Sequence, residues 1–290
     1  VWNISENAIA VRNRGCHRLA SMTATFPNFT DIHCHIVPGI DDGARNVAES
    51  VEMARQAVAD GTTTLIATPH QLGGNRHVTV AAIQQGVANL RTQLEAAGVA
   101  VTVLSGADVR IEPELPRLLK CGDVLTLGDH GRHVLLELPH DVFVPLEPLL
   151  AALRKQGLVG ILSHPERNRG IIANPALMAD VLRAGGLLQI TAGSLLGHFG
   201  SSCRKIAEYA VRQQFVHFVA SDAHDTQQRT FGLRDAFAAV AALADERTAR
   251  LMCCEHPARV AAGEAVGERK VAKSPAAQTT GSSWFRRRTA

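Results

Sequence analysis

The feature that most constrains this chain is a regular exchange between two hydrophobic periods. From Phe29 to Ala262, short runs rich in β-branched residues alternate with segments whose apolar residues recur every third or fourth position. That is the pattern of parallel strands joined by crossover helices. The candidate strands are Phe29–His33, Thr63–Ala67, Val99–Leu104, His133–Glu137, Leu158–Ser163, Gly186–Thr191 and Phe215–Ala220, seven in all. Between them Val47, Val51, Ala54 and Val58 predict a helix that stops at Gly61, and Ile83, Val87, Leu90 and Leu94 predict another that stops at Gly98. Asn174-Pro175 reads as an N-cap and first helical residue, with Gly185-Gly186 closing that helix. An α/β fold is expected, and seven regular βα units favour a barrel over an open sheet.

Length and composition narrow the classes. A chain of 290 residues that is 46% hydrophobic suits one α/β catalytic domain, placed at 29–263. No stretch approaches the roughly 18 uncharged apolar residues of a membrane span. The net charge of +3 comes largely from Lys270, Lys273 and Arg286 to Arg288, so the body gives no argument for nucleic acid. Six cysteines without paired spacing suggest free thiols and a cytoplasmic protein. Residues 1–28 lack the continuous apolar core of a signal peptide and read as a poorly ordered extension, with Met22 a candidate start. Residues 264–290 read as a disordered basic tail, whose Trp284-Phe285 could touch an acidic partner.

The chemistry gathers at strand ends. Strand one ends in Asp31-Ile-His33-Cys-His35, and alternation along a strand turns both histidines the same way. Later strands end in Thr68-Pro69-His70, Gly106-Ala107-Asp108, Leu136-Glu137-Leu138, Ser163-His164-Pro165-Glu166-Arg167 and Ser221-Asp222-Ala223-His224. Active sites of βα barrels are built at that carboxyl-terminal face. One strand-end histidine alone is more often a cap or a surface residue, but the repetition in six strands points to a metal centre. Imidazole mixed with carboxylate, and no cysteine pair, suits Mn²⁺, Fe²⁺ or Zn²⁺ in catalysis. Arg167 and Arg229 follow His164 and His224 onto the same face and could clamp a phosphate, a role that divalent ions would complement in phosphoester hydrolysis.

Taken in order, DIHCHIVPGIDDGA, TPH, GAD, LLELP, SHPER, QITAGSLLG and ASDAH resemble the polymerase-and-histidinol-phosphatase (PHP) superfamily, most closely its CpsB/CapC-type bacterial tyrosine phosphatases. The resemblance implies a distorted seven-stranded βα barrel of the PHP type holding three ions, commonly manganese. It assigns His33, His35, Glu137 and Asp222 to the first ion. Asp108, Glu137 and His164 go to the second, with Glu137 bridging, and Asp42, His70 and His224 to the third. Arg167 and Arg229 would bind phosphate, with Asp222 and His224 also counted in the catalytic set. A metal-bridging hydroxide would attack phosphotyrosine without a phosphoenzyme. The implied substrate is the tyrosine-rich tail of a bacterial autokinase that controls capsular or extracellular polysaccharide. Three positions depart from the family: Asp108 stands where Glu is usual, Gln71 replaces a histidine after TPH, and Asn168 replaces an aromatic residue after HPER.

Other readings make different demands. Cys253-Cys-Glu-His-Pro-Ala-Arg259 has the C-x₅-R spacing of cysteine-dependent phosphatases, but follows a helical run and is expected to form a corner between helices. A small-molecule phosphatase of the histidinol-phosphate type would need a deeper site under longer loops. An amidohydrolase would offer a strand-end lysine, absent here. A catalytically silent metal-binding regulator would have lost part of the ligand set. Among the other histidines, His198 beside the GSLLG loop is the candidate acid near the leaving group.

Overall fold

Nine strand segments, every one paired in parallel, carry the fold of this computed structural model, which describes residues 27–267. They are β1 (Phe29–Cys34), β2 (Thr62–Ala67), β3 (His70–Gln71), β4 (Thr102–Ser105), β5 (Asp108–Arg110), β6 (His133–Glu137), β7 (Val159–Ser163), β8 (Leu187–Thr191) and β9 (Phe218–Ala220). Two sheets result, ordered β1-β2-β4 and β3-β5-β6-β7-β8-β9. The surplus over the seven expected strands arises because the second and third are each divided. Pro69, which has no N–H to give, interrupts β2 and β3. Gly106 interrupts β4 and β5 where a Cβ would stand 2.8 Å from Ile66 Cγ2, so the chain bends where only glycine lets it pass. Between the last segment and the first, the Asp222 N–H donates to the His33 carbonyl and the His35 N–H to the Ala223 carbonyl, both at 2.8 Å.

Two strands begin three residues later than expected, each delayed by the closure of the preceding helix. Gln214 takes a left-handed φ of 57° and the Phe215 N–H turns back to Ala210 O, so the strand starts at Phe218. Gly98 and the Val99 N–H, donating to Leu94 O, do the same before β4. The helix Val47–Asp60 is capped by the Asn46 side chain and ended by left-handed Gly61. Asn174 is not the N-cap expected of it. It terminates the helix Arg169–Ala173, and the following helix Leu177–Arg183 starts without a side-chain cap, from the Asn174 carbonyl.

The larger core packs strands against helices. A smaller cluster joins Ile32 of β1, Ile66 of β2, Leu135 of β6, Ile161 of β7, Leu187 of β8 and Phe218 of β9, residues of both sheets that face one another. Val260 and Val266 complete it, so packing continues past residue 263. Residues 1–26 and 268–290, to which the expected extension, the alternative start and the basic tail mostly belong, lie outside the described residues. The described cysteines are all free thiols, and no described helix is long and apolar enough to cross a membrane.

Candidate metal centre

The carboxyl ends of the strands bring the expected donors together. His33 and His35 lie at the end of β1, His70 opens β3, Asp108 opens β5, Glu137 ends β6, and His164 follows β7. Asp222 and His224 follow β9. His164 and Asp222 adopt left-handed backbone, with φ of 31° and 54°, a conformation that β-carbon-bearing residues rarely hold without a reason. The donor atoms fall into four overlapping groups: His35, Asp42, His70 and His224; His33, His35 and Asp108; His33, His164 and Asp222; and His70, Asp108 and Glu137. The groups run from depth to mouth, since the Asp108 side chain is 0% and that of Asp42 62% exposed.

This partition differs from the expected one at Glu137. Its Oε2 lies 3.8 Å from His70 Nδ1 and 3.3 Å from the Arg110 guanidinium, and it shares a group with neither His33 nor His164. Asp108 takes the central place instead, with its Oδ2 3.7 Å from His33 Nε2, 3.4 Å from His70 Nδ1 and 3.9 Å from His164 Nε2.

Imidazole orientation is set from behind. His33 Nδ1 donates to Gln189 Oε1 at 2.9 Å, His35 Nδ1 to Asp41 Oδ2 at 2.7 Å, and His224 Nδ1 to the Asp222 carbonyl at 2.9 Å. Each bond leaves Nε2 aimed at the shared centre, the arrangement by which outer partners fix a metal-binding histidine. Asp108 Oδ2 and His224 Nε2 are buried without a hydrogen-bond partner, and the Nε2 atoms of His33 and His35 face each other at 3.2 Å. A donor set in this state fits divalent cations. Sequence reasoning missed Asp41 and Gln189. The adjacent pair Asp41-Asp42 offered a signal, because neighbouring carboxylates point apart and only one was used; Gln189, on the strand that lacked a charged end, offered none.

The charges have the same logic. Burial works to lower the His35 imidazole, but Asp222 and Asp41 overcome it and lift the group to about 10. The local field therefore favours a positive charge at that point. Burial, with Arg167 beside it, pushes His164 down to about 3, and burial with His35 beside it pushes His224 down to about 2, so both are neutral, ligand-form imidazoles at neutral pH. Burial and the neighbouring Asp108 raise Glu137 to about 7. Asp108 and Asp222 resist their own burial and stay below the ordinary carboxylate range, because imidazoles face them and Arg229 adds its charge at Asp222.

Both arginines converge on Asp222. Arg229 Nη2 donates to its Oδ2 at 2.6 Å and Arg167 Nη1 donates to the same oxygen, while Oδ1 faces His33 Nε2 at 3.2 Å and His35 Nε2 at 3.4 Å. The Phe199 ring, which the sequence did not mark, lies against both guanidiniums. His198 joins none of the ligand groups. It is exposed and lines a cleft with Gln56, Asp60 and Thr230 that meets, at Thr226, the cleft of Asp42 and His224. Nor is Cys253 at a corner: Glu246–Ala261 is one helical run with a π-turn at Leu251–Glu255, the Cys253 thiol is buried and pushed well up by that burial, and Arg259 points outward. The departures at Gln71 and Asn168 are structural pins. Gln71 bonds Val78 O and Leu125 N, and Asn168 caps a helix while bonding Pro139 O and Val142 O.

Residues 29–262 match the family model described as capsular polysaccharide synthesis, CpsB/CapC. The chain belongs to the CpsB/CapC family. Tyrosine-protein phosphatase YwqE of Bacillus subtilis is 40% identical over 208 residues, covering 71% of this chain and 81% of YwqE. The putative tyrosine-protein phosphatase CapC of Staphylococcus aureus is 31% identical over 208 residues, with the same coverage of 71% and 81%. A crystal structure from work on YwqE of B. subtilis and CpsB of Streptococcus pneumoniae, presented there as metal-dependent tyrosine phosphatases, superposes with a TM-score of 0.79 at 34% identity. It covers 83% of this chain and 97% of the other. In this CpsB/CapC chain the matched span contains every donor of the four groups and both arginines.

Proposed function

We propose that this chain is a metal-dependent protein-tyrosine phosphatase that acts on a phosphorylated protein of capsular or extracellular polysaccharide synthesis, the tail of a tyrosine autokinase being the natural candidate. The observation that carries this reading is the convergence of nine histidine and carboxylate side chains with two guanidiniums on one rim. Kinship with YwqE and CapC supports it. The two sheets are read as one distorted seven-stranded barrel of the PHP type, with β2–β3 and β4–β5 each a single bent strand; the bonds between Asp222 and His33 and between His35 and Ala223 support closure.

His33, His35, Asp108, Glu137, His164 and Asp222 would hold the deeper ions, and Asp42, His70 and His224 the outermost, three in all, with manganese the favoured metal. When bound, such ions lower the pKa of water to near neutrality and offset charge on phosphoryl oxygens. Asp41 and Gln189 keep the imidazoles turned inward. Arg167 and Arg229 present planar N–H forks at the mouth, where a phosphate ester would bring its equatorial oxygens; Asp222 holds them ready by accepting from both. Nothing in this arrangement asks for a covalent intermediate on Cys253.

The test is turnover of a phosphotyrosine peptide, a phosphoserine peptide and histidinol phosphate with Mn²⁺ and with chelator, alongside metal analysis. Preferred, chelator-sensitive hydrolysis of phosphotyrosine is expected, and Cys253→Ser should match the parent. Preference for histidinol phosphate would replace the reading with that of a small-molecule phosphatase. Inactivity toward all three despite bound metal would leave a regulatory protein.

A further inference from the structure

Arg167 arrives from the turn after β7 and Arg229 from the loop after β9, yet the two cations share one carboxylate and one aromatic ring. The Arg167 Cζ stands 4.4 Å from the Phe199 ring centroid and the Arg229 Cζ 5.9 Å. Both distances lie within the range at which the negative face of an aromatic ring attracts a cation. The ring is delivered by a short connection between the helices Ala192–Leu196 and Gly200–Arg212, bracketed by Gly197 and Gly200 with φ of 90° and 87°. Its floor is Gly193, where a Cβ would lie 3.0 Å from Phe199 Cε2 and so press directly on the ring.

We propose that Phe199 is a positioning residue that holds the guanidiniums of Arg167 and Arg229 together at the mouth of the metal centre, ready for the phosphoryl group. This rests on the phosphatase reading above. The two kinds of contact consume different parts of the guanidinium. A carboxylate holds an arginine by occupying N–H donors, the same donors that a phosphate needs. A ring holds it by the face of the guanidinium and leaves every N–H free. Asp222 tethers each arginine through one N–H only, and a phosphate that recruits those donors would loosen the tether, so a shared aromatic shelf reduces the ordering that phosphate binding must impose. Leucine at this position would fill similar space without the attractive face.

The experiment uses the full chain loaded with Mn²⁺ as parent, Phe199→Leu, Phe199→Tyr and Gly193→Ala. Dissociation constants for inorganic phosphate are measured by calorimetry, KM and kcat on a phosphotyrosine peptide, and bound manganese by elemental analysis. Phe199→Leu is expected to weaken phosphate about 5- to 10-fold and to raise KM by a similar factor, with manganese content unchanged and kcat within about twofold. Tyrosine, which keeps the ring face, should restore both values. Gly193→Ala, whose Cβ would crowd the edge of an intact ring, should weaken phosphate in the same direction but less, and serves if the leucine variant folds poorly. Phosphate affinity unchanged in Phe199→Leu, or a tyrosine variant as weak as leucine, overturns the proposal. A parent that binds phosphate but does not turn over phosphotyrosine sinks the phosphatase reading while the ring effect is still read; a parent that binds no phosphate sinks both.

Discussion

The two ends of the same strands carry opposite chemistry. Earlier along the strands, Ile32, Ile66, Leu135, Ile161 and Phe218 form a closed apolar cluster, each at most 1% exposed. A few residues further on, His33, Asp108, His164 and Asp222 are nearly as buried and heavily charged or polar. Burial therefore does not separate the two ends; partners do. His133, the first residue of β6, makes the contrast sharp. Like His164 it is buried with an arginine as neighbour, and burial lowers it to about 4, much as His164 falls to about 3. Yet both ring nitrogens of His133 lack a hydrogen-bond partner, whereas His164 faces Asp108 and shares a donor group with His33 and Asp222. A shifted imidazole marks a site only when other donors converge on it.

Substitutions at the two ends should fail in different ways, and the largest effect is expected at Asp222. It accepts from both arginines and faces two imidazoles, so Asp222→Ala should cost at least about 10³-fold in turnover and lower the manganese content while the chain stays folded. Near-parental turnover would remove Asp222 from the centre. At the opposite end, Ile161→Ala should lose about 2–5 kcal/mol in denaturant unfolding but keep its metal content and its turnover per folded molecule. Metal loss in that variant would mean that the two ends are not independent.

The smallest effect concerns His133. Its folded pKa of about 4 lies below the ordinary 6.5, so between these values the unfolded chain binds a proton that the folded chain refuses. The stability it contributes is complete above about pH 6.5 and is lost as pH falls toward 4. His133→Leu should remove that slope, leaving the variant about 2 kcal/mol less sensitive to acid than the parent. Urea midpoints at pH 7 and pH 4.5 measure it, and parallel curves for the two proteins would contradict the assignment.

Much of this architecture was legible because it is local. Alternating periods marked the parallel αβ class, and most donors were readable because they end a run of expected strand; Asp42, in the loop after β1, was marked only by the family resemblance. What escaped was set by contacts between distant segments. The division of two strands depends on Pro69 and on the crowding of Gly106 against Ile66. The ion pair of Glu137 with Arg110 at 3.3 Å also has no signature in the spacing. Asn174 looked like a helix start because Asn-Pro so often is one, but the preceding helix claimed it first.

Taken alone, the sequence determined the class of fold, the rim on which the chemistry would gather and the kinds of atom gathered there, because strand alternation and strand ends follow from neighbours along the chain. Only the tertiary structure decided which donor atoms lie close together, which ring nitrogens of His33, His35 and His224 are held from behind, and that Phe199 lies beneath both arginines. Most of those outcomes depend on side chains far apart in the chain that fold against one another, as Phe199 does with Arg167 and Arg229, Asp108 with Ser163 and Gln189 with His33, and no local pattern encodes such meetings.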